Sequence, residues 1–174
     1  MASTLTVDNI VGATTAANVK MPAGAILQTV TTDFTGQTTV TSSGTTYTDV
    51  TNGTITITPK FNTSKILIIP NITILIQDSA STYTYFGVRC LRGSSTVLGP
   101  TLNTDGAGAY DYGVGFGNSG TRQYDHRVTA HHIDTPATTS ATTYKFQVIN
   151  YAAGRTSYVN HTGASSILAM EISG

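Results

Sequence analysis

The chain has 174 residues, only 10% of them charged, and its formal net charge is zero. That length suits one core of about 100 to 200 residues with an arm attached, and a neutral chain lacks the basic footprint that counterion release on nucleic acid requires. Threonine supplies roughly a fifth of the residues, and with Val, Ile and Tyr it favours pleated strands, so the expected class is all-β.

Residues 1–24 read differently from the rest. A short apolar alternation, Leu5-Thr6-Val7-Asp8-Asn9-Ile10-Val11, is followed by the small-residue stretch Gly12-Ala13-Thr14-Thr15-Ala16-Ala17 and by Met21-Pro22-Ala23-Gly24. Such a segment holds too few large apolar groups to fold alone. It is therefore expected to be a docking arm, with Leu5, Val7, Ile10 and Val11 as its contacts, ahead of a head domain over 25–174. Its start lacks the positive residues and apolar stretch of a secretory signal, which points to synthesis in a cytoplasm.

After Gly24 strand-like runs alternate with Gly, Asn, Ser and Pro, a spacing that suits an antiparallel sandwich better than βαβ units. Strands are expected at 25–34, 45–51, 54–58, 65–77, 83–92, 95–98, 126–133, 142–151 and 166–172, with no helix. In Thr54-Ile55-Thr56-Ile57-Thr58 the isoleucines should face a core and the threonines water. The run Ile66-Leu67-Ile68-Ile69-Pro70-Asn71-Ile72-Thr73-Ile74-Leu75-Ile76 is apolar on both faces for most of its length. It is too short to span a bilayer as a helix, and no membrane insertion is expected. A strand apolar on both sides needs its second side covered. Burial between identical subunits is the economical answer, which makes Ile66, Ile68, Ile72, Ile74 and Ile76 candidate interface residues; a two-fold and a three-fold arrangement both remain open.

Cys90 lies in Val88-Arg89-Cys90-Leu91 and reads as a small core residue. Arg92 opens a hairpin turn, Arg92-Gly93-Ser94-Ser95, where a solvated or salt-bridged arginine outweighs the offer of a cation to an acidic sugar. The stretch from Gly99 to Gly120 has no firm strand pattern and carries tyrosines among Gly, Asn and Asp, a composition shared with adaptable binding loops. Tyr110 and Tyr112, with Tyr124 just beyond, are the candidate contacts to a host surface, set against the plainer reading of a connection packed on the sandwich.

Tests for catalytic chemistry return little. His131 and His132 are adjacent, so a regular strand points them to opposite faces and one ion cannot take both. No Gly-x-Ser-x-Gly elbow occurs. Gly115-Phe116-Gly117-Asn118-Ser119-Gly120 matches a phosphate-loop spacing but leads into a strand, with no helix amino terminus to receive an anion. With nine acidic residues, some carboxylate pair is always available by chance. The chain is thus expected to be no enzyme, to need no cofactor and to hold no metal.

Taken in order, Leu5-Thr6-Val7-Asp8-Asn9-Ile10, Met21-Pro22-Ala23-Gly24, Ile57-Thr58-Pro59, Ser64-Lys65-Ile66-Leu67-Ile68, Arg92-Gly93-Ser94, Asp134-Thr135-Pro136-Ala137-Thr138-Thr139, Thr143-Tyr144-Lys145 and Ser165-Ser166-Ile167-Leu168-Ala169-Met170-Glu171-Ile172 resemble small fibre-like or decoration virion proteins of tailed phages of cyanobacteria and other aquatic bacteria. The resemblance covers nearly the whole chain. It implies a jelly-roll-like head, a trimer as the homo-oligomer, display on the virion surface as tail fibre, head fibre or capsid decoration, and an arm that ties the head to other virion proteins. Host glycans are the further partner that the loop tyrosines would meet. The alternative is a carbohydrate-binding module of a bacterial surface or secreted system, which a signal peptide and a partner domain would mark. A third reading is a small polysaccharide-cleaving enzyme, which an acid pair in a groove would mark.

Overall fold

The computed structural model describes residues 21–41, 46–78, 84–98, 112–116, 122–150 and 156–174. The arm contacts Leu5, Val7, Ile10 and Val11, and Tyr110 of the central stretch, lie outside them. The described residues form strands, turns and bends, with no helix.

Twelve strands are described: β1 (Ile26–Phe34), β2 (Thr38–Val40), β3 (Thr48–Ile57), β4 (Lys65–Asp78), β5 (Thr84–Arg92), β6 (Thr96–Leu98), β7 (Tyr112–Phe116), β8 (Arg122–Thr129), β9 (His132–Asp134), β10 (Thr142–Asn150), β11 (Thr156–Val159) and β12 (Ser165–Ile172). Several are successive segments of one longer strand. Thus β12 and then β11 run along one side of β4, while β9 and then β8 run along the other. β1 and β2 pair with β12 and β11 in turn. In the second sheet β3 and β5 flank β10, and β6 and β7 share the far side of β5.

Counted as long strands, this gives eight in two antiparallel sheets. Sheet A orders them first, eighth, third, sixth; sheet B orders them second, seventh, fourth, fifth. The pairs nest, first with eighth, second with seventh, third with sixth and fourth with fifth, which is a jelly roll. The expected all-β sandwich is therefore present.

The inward faces of both sheets make one core. Ile66, Ile68, Ile72, Ile74 and Ile76 from β4, Phe86, Val88 and Cys90 from β5, Tyr144, Phe146 and Val148 from β10, and Ile167 and Ala169 from β12 are all buried. Each large apolar side chain so buried stabilises by about 1.5 to 3 kcal/mol. Alternation in β3 is as expected, Ile55 and Ile57 inward and Thr54 and Thr56 exposed.

Three differences from the sequence reading have simple causes. The strands expected at 45–51 and 54–58 are replaced by one, β3 (Thr48–Ile57), because Asn52 takes a left-handed backbone (φ 58°) and lets the strand bulge and continue. Residues 112–116, expected in a loop, form β7 against β5, where backbone pairing outweighs the weak strand preference of Gly113 and Gly115. The five isoleucines expected at a subunit interface are each 0% exposed within a single chain. They point between the sheets, so they are core and cannot meet a neighbour; the second apolar face of β4 belongs to other residues.

Candidate assembly surface

The outward face of sheet A is set by strand parity. β12 buries Ser165, Ile167, Ala169 and Glu171 and turns Ser166, Leu168, Met170 and Ile172 outward. On β4 the outward residues at this level are Lys65, Leu67 and Ile69, half-buried except for exposed Lys65. Register aligns them into rows: Ile26 beside Ile172 and Lys65, then Thr29, Met170, Leu67 and Ile133, then Thr31, Leu168 and Ile69. Ile26 is 60% and Ile133 61% exposed. Four strands thus carry Ile26, Leu67, Ile69, Ile133, Leu168, Met170 and Ile172 on one outward patch, about 14 Å across by about 13 Å along the strands at ordinary sheet spacings.

Two buried polar clusters hold the end of the sandwich where this patch lies. Glu171 is 0% exposed, and its carboxylate accepts from Gln28 Nε2 (2.6 Å), Ser64 Oγ (2.6 Å) and the backbone N–H groups of Lys60 (2.7 Å) and Phe61 (3.3 Å). One acid thereby fastens the turn before β4 to β1 and β12. A buried carboxylate is tolerated only when donors replace its water in this way. Asp134 accepts from Arg92 Nη1 at 2.9 and 3.1 Å and from the Tyr144 hydroxyl at 2.8 Å. It joins β9 of sheet A to β5 and β10 of sheet B. Burial first, and then the Asp134 carboxylate, raise the Tyr144 phenol well above its ordinary 10.0. Of the two plain readings of Arg92, solvated or salt-bridged, the second holds.

The chain enters β1 at the same end. Ala25 N donates to Pro22 O (3.1 Å) across a turn whose Gly24 has φ 87°, a position that favours glycine. Gly24 N donates to Ser173 O and Ser173 N to Ala25 O, both at 2.8 Å, so β1 and the C-terminus are laced together beside Ile26. Farther along sheet A, Asn160 (φ 55°) breaks β11 from β12. Its amide donates to Phe34 O and Gly36 O at 3.2 and 3.4 Å, so both kinked strands bend at one level.

The outward face of sheet B is polar along β3 and the first half of β10, with Leu91, Val97 and Ile149 on the same outward parity beside it. Thr56 and Thr143 share a hydroxyl hydrogen bond of 2.8 Å. Arg89 lies 3.5 Å over the Tyr47 ring and donates to Gln147 Oε1, while Gln147 and Lys145 both donate to Asp49. The Gln147 hydrogen bond, followed by Lys145, outweighs desolvation and holds the Asp49 carboxyl below its ordinary 3.8.

Of the tyrosines expected to meet a host, Tyr112 falls on β7 and Tyr124 on β8 by backbone, which are strands of different sheets; their side chains, like all of Tyr110, lie outside the described residues. His131 is exposed and its neighbour His132 buried, in line with opposite faces. Among the described residues no group of three His, Cys, Asp or Glu side chains gathers as metal ligands would. Sequence reasoning missed Glu171 and Asp134 as organising groups. Glu171 had a legible signal: it shares inward parity with Ile167 and Ala169, and a carboxylate on a core face must find donors.

No family model matches the sequence, and no curated protein does. Among solved structures the chain is similar to infectious bursal disease virus of the Gt strain, at 13% identity and a TM-score of 0.42, over 86% of this chain and 34% of that one. It is likewise similar to the VP2 subviral particle of that virus, at 14% identity and a TM-score of 0.42, over 84% and 33%. The Gx strain gives 14% and 0.38, over 86% and 34%. The chain spans about a third of the length of these proteins. The likenesses are distant, and the eight-strand topology rests on the pairings of this chain alone.

Proposed function

We propose that the chain is a non-enzymatic structural module of a virion, displayed on a tailed phage as a fibre or decoration and working as a homo-oligomer. The observation that carries this reading is the outward face of sheet A, where seven apolar side chains lie together on a jelly roll whose core is already complete within one chain. Large outward apolar patches mark surfaces that are covered in use. The motif order adds the expectation of three copies and of an arm, through Leu5, Val7, Ile10 and Val11, that ties the head to a capsid or tail protein. A structural role also suits the buried acids: among the described residues Asp134 and Glu171 are the buried carboxylates, and both spend their acceptor capacity on structural donors. Tyr110, Tyr112 and Tyr124 are retained as candidate host-glycan contacts, through ring stacking and the hydroxyl.

The test is particle composition. Particles purified from the phage that encodes the chain should contain it in fixed stoichiometry, and antibody raised against it should label intact particles. Its absence from washed particles that retain their other structural proteins would overturn the reading.

A further inference from the structure

We infer that the outward apolar face of sheet A is the seat of a second copy of this chain, packed so that Lys65 of each copy meets Asp33 of the other. This rests on the reading of the chain as a self-assembling virion module and names the surface it would use. The face has an apolar centre of Leu67, Ile69, Leu168 and Met170 that reaches two edges through Ile26, Ile172 and Ile133, with Asp33, Ser166, Asn71 and Lys65 at the polar margins, as interfaces have a polar rim. Its rim charges choose the occupant. Lys65 and Asp33 are both exposed and outward, at opposite ends of the patch along the strands. In register Lys65 lies opposite Ile172 and Asp33 opposite Ser166.

The point midway between those partners on β12 is Ala169, flanked on the outward side by Leu168 and Met170. A two-fold axis lying across the patch at that point exchanges the two ends, bringing lysine to aspartate twice while the apolar centres meet. Such self-complementarity is what an isologous contact requires. Among the described residues the other outward charges of this sheet are Asp125 and Arg127, which pair in register with Leu75 and Thr73 farther along β4; the Arg127 guanidinium reaches back to the rim, donating to Asn71 Oδ1 and Ala164 O, both at 3.4 Å. The pairing is two-fold, where the resemblance to fibre proteins implies three copies.

The experiment is the mass of the full chain by sedimentation equilibrium over a wide concentration range. The expected species has twice the 18.2 kDa of one chain, and Ile133→Lys should reduce it to one chain with the circular dichroism spectrum unchanged, because Ile133 is 61% exposed and its loss spares the core. Lys65→Asp and Asp33→Lys, each alone, should weaken the pair at least tenfold at low salt, and the two together should restore it, an outcome that a change in folding alone does not produce. A chain monomeric at every concentration, or a dimer or trimer whose mass ignores all of these substitutions, would overturn the inference. The particle-labelling result would stand in either case, so the two readings fail separately.

Discussion

The two sheets share one pleat, one period and one core, yet their outward faces differ. Sheet A turns Leu67, Ile69, Leu168 and Met170 outward, with Ile26 and Ile133 more than half exposed. Sheet B turns out Thr54 and Thr56, Thr143, Lys145 and Gln147 on β3 and β10, where Thr56 bonds Thr143, Lys145 bonds Asp49, and Gln147 bonds Asp49 and Arg89, with Leu91, Val97 and Ile149 the apolar residues beside them. Alternation alone sets which residues face the core; the composition of the other parity sets what the surface can do. A threonine face is complete in water, whereas a face of Leu, Ile and Met gains by being covered.

The comparison breaks first if the inward faces are unequal. Ile68→Ala in sheet A and Phe146→Ala in sheet B should each cost about 3 to 5 kcal/mol in denaturant unfolding, since both side chains are fully buried. A cost near zero for either would mean that one sheet is not part of the shared core. Next in size is Glu171→Gln, which places an amide donor among groups that already donate; about 1 to 3 kcal/mol should be lost in the same measurement. Retained stability there would show that the turn at 58–64 does not depend on the carboxylate.

Tyr144 sharpens the comparison through pH. Its folded phenol is held above the ordinary 10.0, so folding is favoured by the neutral form at pH values below 10.0, and that contribution is lost as pH rises toward the folded value. Thermal unfolding midpoints should therefore fall above pH 10, and Tyr144→Phe should flatten that fall at a cost of about 1 kcal/mol at neutral pH. An unchanged alkaline slope in the variant would place the sensitivity elsewhere. The smallest effect belongs to the outward face of sheet B. Asp49 is 60% exposed, and Asp49→Asn should change stability by less than about 1 kcal/mol. Because the folded Asp49 value lies below 3.8, its contribution is present above 3.8 and lost as pH falls through the folded value, so wild type and variant should converge only in strong acid.

The sequence made some of this legible. The Thr–Ile alternation of β3 and the long run of β4 marked a sandwich because both patterns are local. β2, β7 and β11 escaped notice because they are three to five residues long, with small or polar residues that gain order from a neighbouring strand. The run of β4 marked two apolar faces but not which parity was the core. That parity depends on sheet B lying over Ile66 to Ile76, a long-range fact. Glu171 shows the same limit: its donors come from residues more than a hundred positions earlier.

The most direct measurement of the central claim is hydroxyl-radical footprinting of the full chain at low and at high concentration. The account predicts that Met170, Leu168 and Ile133 lose reactivity as the chain associates, while Tyr47 and Val97 on sheet B keep theirs. Protection of Tyr47 and Val97 with Met170 still reactive would contradict it.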